Sequence, residues 1–192
     1  MYLDVQTRSG VDHSKLPLRI ESIPGFAPTI GRLVCMLAHA RETLTAAVDG
    51  LSRHQLDHLH DESSNSIGAL LAHAAAVEWW HQVLTFEKRV PSASDEAPWL
   101  AALDLGAKAR EQIRGREAKS YREALYRTRE TTLCALAKLD DVWLERPLVA
   151  MPERNAHWAW FHVAEDEISH AGQIRWLRAR LPRSVRPTNI SK

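Results

Sequence analysis

The sequence predicts an all-α protein, a four-helix bundle with a long crossover connection between its second and third helices. Four stretches, each of about twenty residues, repeat apolar side chains at helical spacing, and none alternates as a half-buried strand would. The segment between the second and third stretches is long enough to carry the chain back along the bundle. With 192 residues the chain is the size of one domain with a sizeable core.

Residues 1–27 hold Pro17, Pro24 and Gly25 without a sustained period and read as an irregular N-terminal arm. The bundle is expected over 28–182, with a C-terminal tail over 183–192. From Thr29 to Asp49 the residues Ile30, Leu33, Val34, Leu37, Leu44 and Val48 keep a helical period, and Gly50 stands where a C-terminal cap belongs. Asn65 and Ser66 offer a capping oxygen to a second helix, IGALLAHAAAVEWWHQVLTFE, that runs to about Lys88. The stretch RVPSASDEAPWLAALDLGAKAR is the crossover, with a short helix expected at Trp99 to Leu105. Tyr121, Leu125, Thr128, Leu133, Leu136 and Leu139 mark a third helix from about Ala118 to Leu139. Pro147 and Pro152 break the pattern, and a fourth helix runs from near Ala156 to Leu181, where Pro182 stops it.

Composition narrows the partners. The 25 Lys+Arg against 24 Asp+Glu give a net charge of +1, which attracts neither nucleic acid nor an anionic membrane. No apolar run reaches the roughly 18 residues of a membrane span, and the N-terminus has no apolar signal core, so a cytoplasmic location is expected. Cys35 and Cys134 are too few for a disulfide framework, and both fall in apolar helical patterns where a buried reduced thiol is the default. Ten His and seven Trp exceed what packing alone requires.

On a wheel of the fourth helix with Trp158 at the origin, Val163, Ile174, Leu177 and Leu181 form an apolar stripe at about 100–160°. On the same side, His162, Gln173, Asp166 and His170 lie at about 40°, 60°, 80° and 120°. Burying a carboxylate and two imidazoles costs several kcal/mol unless they satisfy one another, meet water or hold an ion. On the second helix, His81 and His73 also face inward, near the line of Leu70, Ala74, Val77 and Leu84. Asp166 and His170 are spaced i, i+4, which lets one helix offer two ligands to one ion. His73, set among Ala72, Ala74, Ala75 and Ala76, has room beside it to act as a third.

Structural readings stand beside these. An inward His81 or His162 is more often a hydrogen-bonded core histidine than a ligand, and Asp166 with His170 can be a buried ion pair. Trp79 and Trp80 read as packing or interface residues. His13, His39, His54, His58, His60 and His157 read as surface residues. No glycine-rich phosphate loop, CxxC or nucleophile elbow occurs, and DEISH departs from the zinc-protease HExxH at Asp166.

The segment NSIGALLAHAAAVEWW, followed some ninety residues later by WAWFHVAEDEISHAGQIRWLRARLP, resembles the DinB-like superfamily. That superfamily includes mycothiol- and bacillithiol-dependent S-transferases and maleylpyruvate isomerases. RETLTAAVDGLSRHQLDHL is similar to its first helix and following turn. The resemblance implies a four-helix bundle, commonly dimeric, holding a divalent ion with one histidine of the second helix and two residues of the fourth. Carried onto this chain the ligands are His73, Asp166 and His170, with Asp166 where the family most often has histidine. Two nitrogens and one oxygen suit zinc, nickel, manganese or iron.

An open coordination position would lower the pKa of a bound thiol or water. Glu165 and Glu167 lie too far round the wheel to ligate, whereas Gln173 is placed to orient a ligand or solvent. Trp80, Glu78, His81 and His162 are expected at the rim, and Gln173, His162 and His81 are the candidates for a catalytic role. The expected function is S-transfer of a low-molecular-weight thiol to a small electrophile, or isomerisation through such an adduct. Metal-assisted hydrolysis and a non-catalytic metal-binding or stress-response bundle are the alternatives. A small-molecule substrate and a homodimer are the expected partners.

Overall fold

The computed structural model describes residues 19–182, so the arm's first eighteen residues and the tail at 183–192 lie outside the described residues. Among these residues there are eight α-helices. They are α1 (Pro28–Ala46), α2 (Arg53–Leu56), α3 (Ile67–Thr85), α4 (Ala93–Glu96), α5 (Leu100–Asp104), α6 (Gly106–Gln112), α7 (Ala118–Leu136) and α8 (Ala156–Arg178). A 3-10 turn at Asp141–Glu145 follows α7, and the described residues hold no strand, only an isolated bridge between Pro147 and Asn155. The four long helices expected are α1, α3, α7 and α8, each three residues shorter at its C-terminus than its period implied. The crossover carries three short helices where the sequence reading expected one.

Local chemistry sets the helix ends. Ser66 Oγ accepts from Ala69 N at 3.1 Å and Asn155 Oδ1 from Trp158 N at 2.9 Å, each satisfying a free amide of the first turn. The Asp141 carboxylate reaches from beyond α7 to accept Thr29 N and Ile30 N at 3.0 Å, tying the end of α7 to the start of α1. Gly50 sits at φ +73°, the left-handed geometry expected of a residue that ends a helix turn.

Cross-contacts fix the directions. Along α3 and α7, Gly68 meets Tyr121 and Glu78 meets Arg129 and Thr132, so the two helices run parallel. A Cβ on Gly68 would stand 2.6 Å from the Tyr121 hydroxyl, so this close approach requires glycine. Arg175 and Arg178 donate to the carbonyls of Thr43 and Ala47, which makes α8 parallel to α1, and both run against α3 and α7. This up-down-down-up order demands a crossover after α3, and α4 to α6 supply it.

The interior has two apolar clusters. Ile30, Leu33, Leu37, Leu136, Trp143 and Trp160 belong to one, and Leu44, Leu70, Leu71, Leu125, Ile174 and their neighbours belong to the other. Between them lies a layer of buried charge. Arg41 donates to Glu78 Oε2 at 2.6 Å and to Glu167 Oε1, and Arg129 donates to Glu78 Oε1 at 2.7 Å and Glu167 Oε1 at 2.8 Å. Thr132 Oγ1 adds a bond to Glu78 Oε1 at 2.6 Å, and the two guanidinium groups also donate to the carbonyls of Leu125 and Leu37. Glu78 was expected at a site rim but is 0% exposed, because Arg41 of α1 and Arg129 of α7 draw it to the centre. Burial opposes ionisation of Glu78, but the two arginines together hold its pKa below the usual carboxylate value.

Cys35 is buried as expected, whereas Cys134 is exposed. The mixed three-and-four pattern on α7 buries the arc through Leu125, Thr132 and Leu136, and Cys134 lies off it. No helix among the described residues is long and apolar enough to cross a membrane.

Candidate metal centre

The structure brings His73, Asp166 and His170 together, with one potential ligand atom from each lying within 4.8 Å of the others. His73 Nε2 stands 3.6 Å from Asp166 Oδ1, and His170 Nε2 stands 3.3 Å from the same oxygen. The two imidazoles meet edge to face, with ring centroids 5.0 Å apart. Metal–ligand bonds of about 2.0–2.2 Å at tetrahedral angles set donor atoms about 3.4 Å apart, close to both imidazole separations from Asp166 Oδ1.

Each ligand is positioned by its element. His73 follows Ala72 in an alanine-rich turn of α3, whose small side chains let the crossover close over it. There its Nδ1–H donates to the carbonyl of Ala102 in α5 at 2.8 Å, which leaves Nε2 with its lone pair turned to Asp166. Asp166 and His170 are one turn apart on α8. Asp166 Oδ2 and His170 Nδ1 are sealed from solvent and have no hydrogen-bond partner, the condition of donors and acceptors that an ion or an ordered water would complete.

Electrostatics within the set are mutual. Burial raises the pKa of Asp166, but contacts with His170 and then His73 lower it further, so the carboxylate stays ionised. Burial lowers that of His73, but Asp166 and the Ala102 carbonyl outweigh it and raise it above the ordinary value.

His81, 4% exposed, donates Nδ1–H to the Val77 carbonyl at 2.8 Å, and burial pushes its pKa down to about 4. Its ring faces His162 at 5.7 Å. His162 is half-buried, stacks on Trp158 at 5.0 Å, and bonds through Nδ1 to Glu165 Oε2 at 3.1 Å. Trp80 donates to Glu96 Oε1 at 3.3 Å, and Trp79 stacks on Trp99, so both tryptophans hold the crossover against α3. Gln173, expected to orient a ligand or solvent, is exposed and makes no hydrogen bond with a described residue. The group that orients His73 is a backbone carbonyl, which no side-chain pattern announces.

Sequence reasoning also missed the buried charge layer, although a signal was present. Arg41 stands in the line of Leu37, Leu44 and Val48, and Arg129 lies one turn from Leu125. A guanidinium in an apolar stripe calls for buried partners, as the histidines of α8 did.

A parallel-antiparallel bundle of this order, with a His/Asp/His set between α3 and α8, has the architecture of the DinB-like superfamily. The family model of the mycothiol-S-transferases matches residues 32–182, and the chain belongs to that family. No curated protein matches it.

Proposed function

We propose that the protein is a metal-dependent thiol S-transferase or isomerase, acting in the cytoplasm on a small electrophile. Its divalent ion would be held by His73, Asp166 and His170. The observation that carries this reading is the convergence of these donors, with His73 already fixed by Ala102 in the tautomer that ligates. Membership of the mycothiol-S-transferase family supports a low-molecular-weight thiol as cosubstrate. An ion with an open coordination position supplies Lewis acidity that makes a thiolate available near neutral pH.

The chain's own residues do the rest. Asp166 brings a charge that stays ionised, and His73 and His170 bring imidazole nitrogen donors, a set that suits zinc, nickel, manganese or iron. His81, uncharged at physiological pH and tied at Nδ1, offers Nε2 as a hydrogen-bond acceptor, and His162 stands beside it at the approach.

Elemental analysis of the purified protein, beside His73→Ala and His170→Ala, tests the site. About one divalent ion per chain is expected in the wild type, and unchanged content in both variants overturns it. Thiol consumption with an electrophile such as a haloarene tests the reaction, and ester or amide cleavage without thiol would assign hydrolysis instead. A wild-type chain free of metal would leave the triad as an ion-pair cluster.

A further inference from the structure

Between the 3-10 turn and α8 the chain doubles back on itself. Leu148 N donates to the Arg154 carbonyl and Ala156 N to that of Arg146, each at 2.9 Å, so the two limbs of this hairpin form a fixed wall. Between that wall and the end of α3 lies a cavity of about 240 Å³. Leu84, Trp143 and Leu148 line it and are buried, and Val149 lines it from an exposed position. The Trp143 ring stacks on Phe86 at 5.5 Å, which holds an aromatic surface in the lining. An apolar cavity of about 150 Å³ already takes benzene, so this one has room for a ring with a substituent.

Two cations reach the same cavity, Lys88 from beyond the end of α3 and Arg146 from the hairpin, and both are exposed. Neither has an ion pair or a side-chain hydrogen bond with a described residue. The carboxylates next to them in the chain are engaged elsewhere, since Glu87 pairs with Arg89 and Glu145 accepts from Asn155. An apolar pocket edged by two unmatched positive charges favours a ligand with an apolar body and an anionic head.

The backbone at Lys88 is a second and independent observation. Its φ is +54°, the left-handed region where a Cβ crowds the following carbonyl and glycine is the usual residue. Lys88 lies two residues past Phe86, the cap of α3, and a glycine would make the same turn with less strain. What the lysine adds is a cation at the cavity, and strain of this kind is kept where a side chain has a task.

We propose that this cavity is a second ligand site, for a small aromatic anion. The ring lies against Leu84, Trp143 and Leu148, and its carboxylate or phosphate group meets Arg146 and Lys88. Thr85, also in the lining, is twelve residues past His73 on α3, about 18 Å along the helix, so a ligand here touches no donor of the metal centre.

Isothermal titration calorimetry of the full chain with phenylacetate and with phenyl phosphate, beside neutral phenylacetamide, tests this. One site with a Kd below about 1 mM is expected for at least one of the anions, and binding at least about tenfold weaker for the amide. His73→Ala keeps the affinity for the anion. Arg146→Gln and Lys88→Gly each weaken it at least about fivefold, and Val149→Trp, which fills the cavity from its exposed side, abolishes it. Lys88→Gly leaves the melting temperature of the unliganded chain unchanged or higher, because it relieves the backbone. The proposal is overturned if neither anion binds at about 5 mM, if the amide binds as well as they do, or if both charge variants bind like the wild type. Affinity lost in a His73→Ala chain that still melts cooperatively overturns it too, because the anion then sits at the metal centre.

Discussion

Asp166 and Glu167 are neighbours in the chain and enter two different polar clusters, as do His73 and Glu78 of α3. Glu167 and Glu78 belong to the central layer, where two arginines match two glutamates, four helices contribute, and only Glu167 Oε2 lacks a partner. Asp166 and His73 belong to the triad, where His170 completes the set and two sealed atoms have nothing to bond. The central layer closes upon itself electrically and so reads as structure. The triad has an acidic group and two imidazoles with bonding capacity left over, and so reads as a site.

Breaking the central layer should have the largest effect. Glu78→Ala leaves Arg41 and Arg129 buried beside a single carboxylate and is expected to cost about 3–5 kcal/mol in urea unfolding, whether or not divalent ion is present. A loss below 1 kcal/mol would mean that the layer is solvated and the contrast is wrong.

His81 feels the charges of both regions, through Asp166 and Glu78, and reports on burial beside them. Its pKa is lowered from 6.5 to about 4, so between those values the unfolded chain binds a proton that the folded chain refuses. Stability should therefore fall as pH falls through this window, by about 3 kcal/mol in full. The raised pKa of His73 acts above 6.5 and the lowered one of Asp166 below 3.8, so neither masks the window. His81→Gln should flatten the acid limb of a stability–pH profile, and an unchanged slope would place the His81 ring in water.

The triad should respond to ions where the central layer does not. A divalent ion at a hundred times its Kd is expected to add about 2.7 kcal/mol to stability, read as a rise in melting temperature. Asp166→Asn or His73→Ala should remove the rise, and Glu78→Ala should keep it in the fraction that folds. An equal rise in all three would put the ion elsewhere.

The smallest effect sharpens the account of the layer. Thr132→Val removes one hydrogen bond to Glu78 while both arginines remain and should cost roughly 1.5 kcal/mol, with metal content unaltered. A cost near that of Glu78→Ala would make Thr132 an equal partner in the layer.

The amino-acid sequence by itself determined the helices, because apolar period and capping residues are local properties: Ser66, Asn155 and Gly50 mark ends that short-range hydrogen bonds and backbone angles set. It also placed Asp166 and His170 on one face, since i, i+4 spacing is fixed by helix geometry, and the small neighbours of His73 marked it as the third donor before the resemblance pointed to the same residue. Only the tertiary structure decided what those faces meet. Glu78 was expected at the rim of the site, yet Arg41 and Arg129, remote in sequence, draw it into the centre. The partner that orients His73 is the Ala102 carbonyl, and every residue carries a carbonyl. Which one becomes a buried acceptor depends on how the crossover folds back over α3.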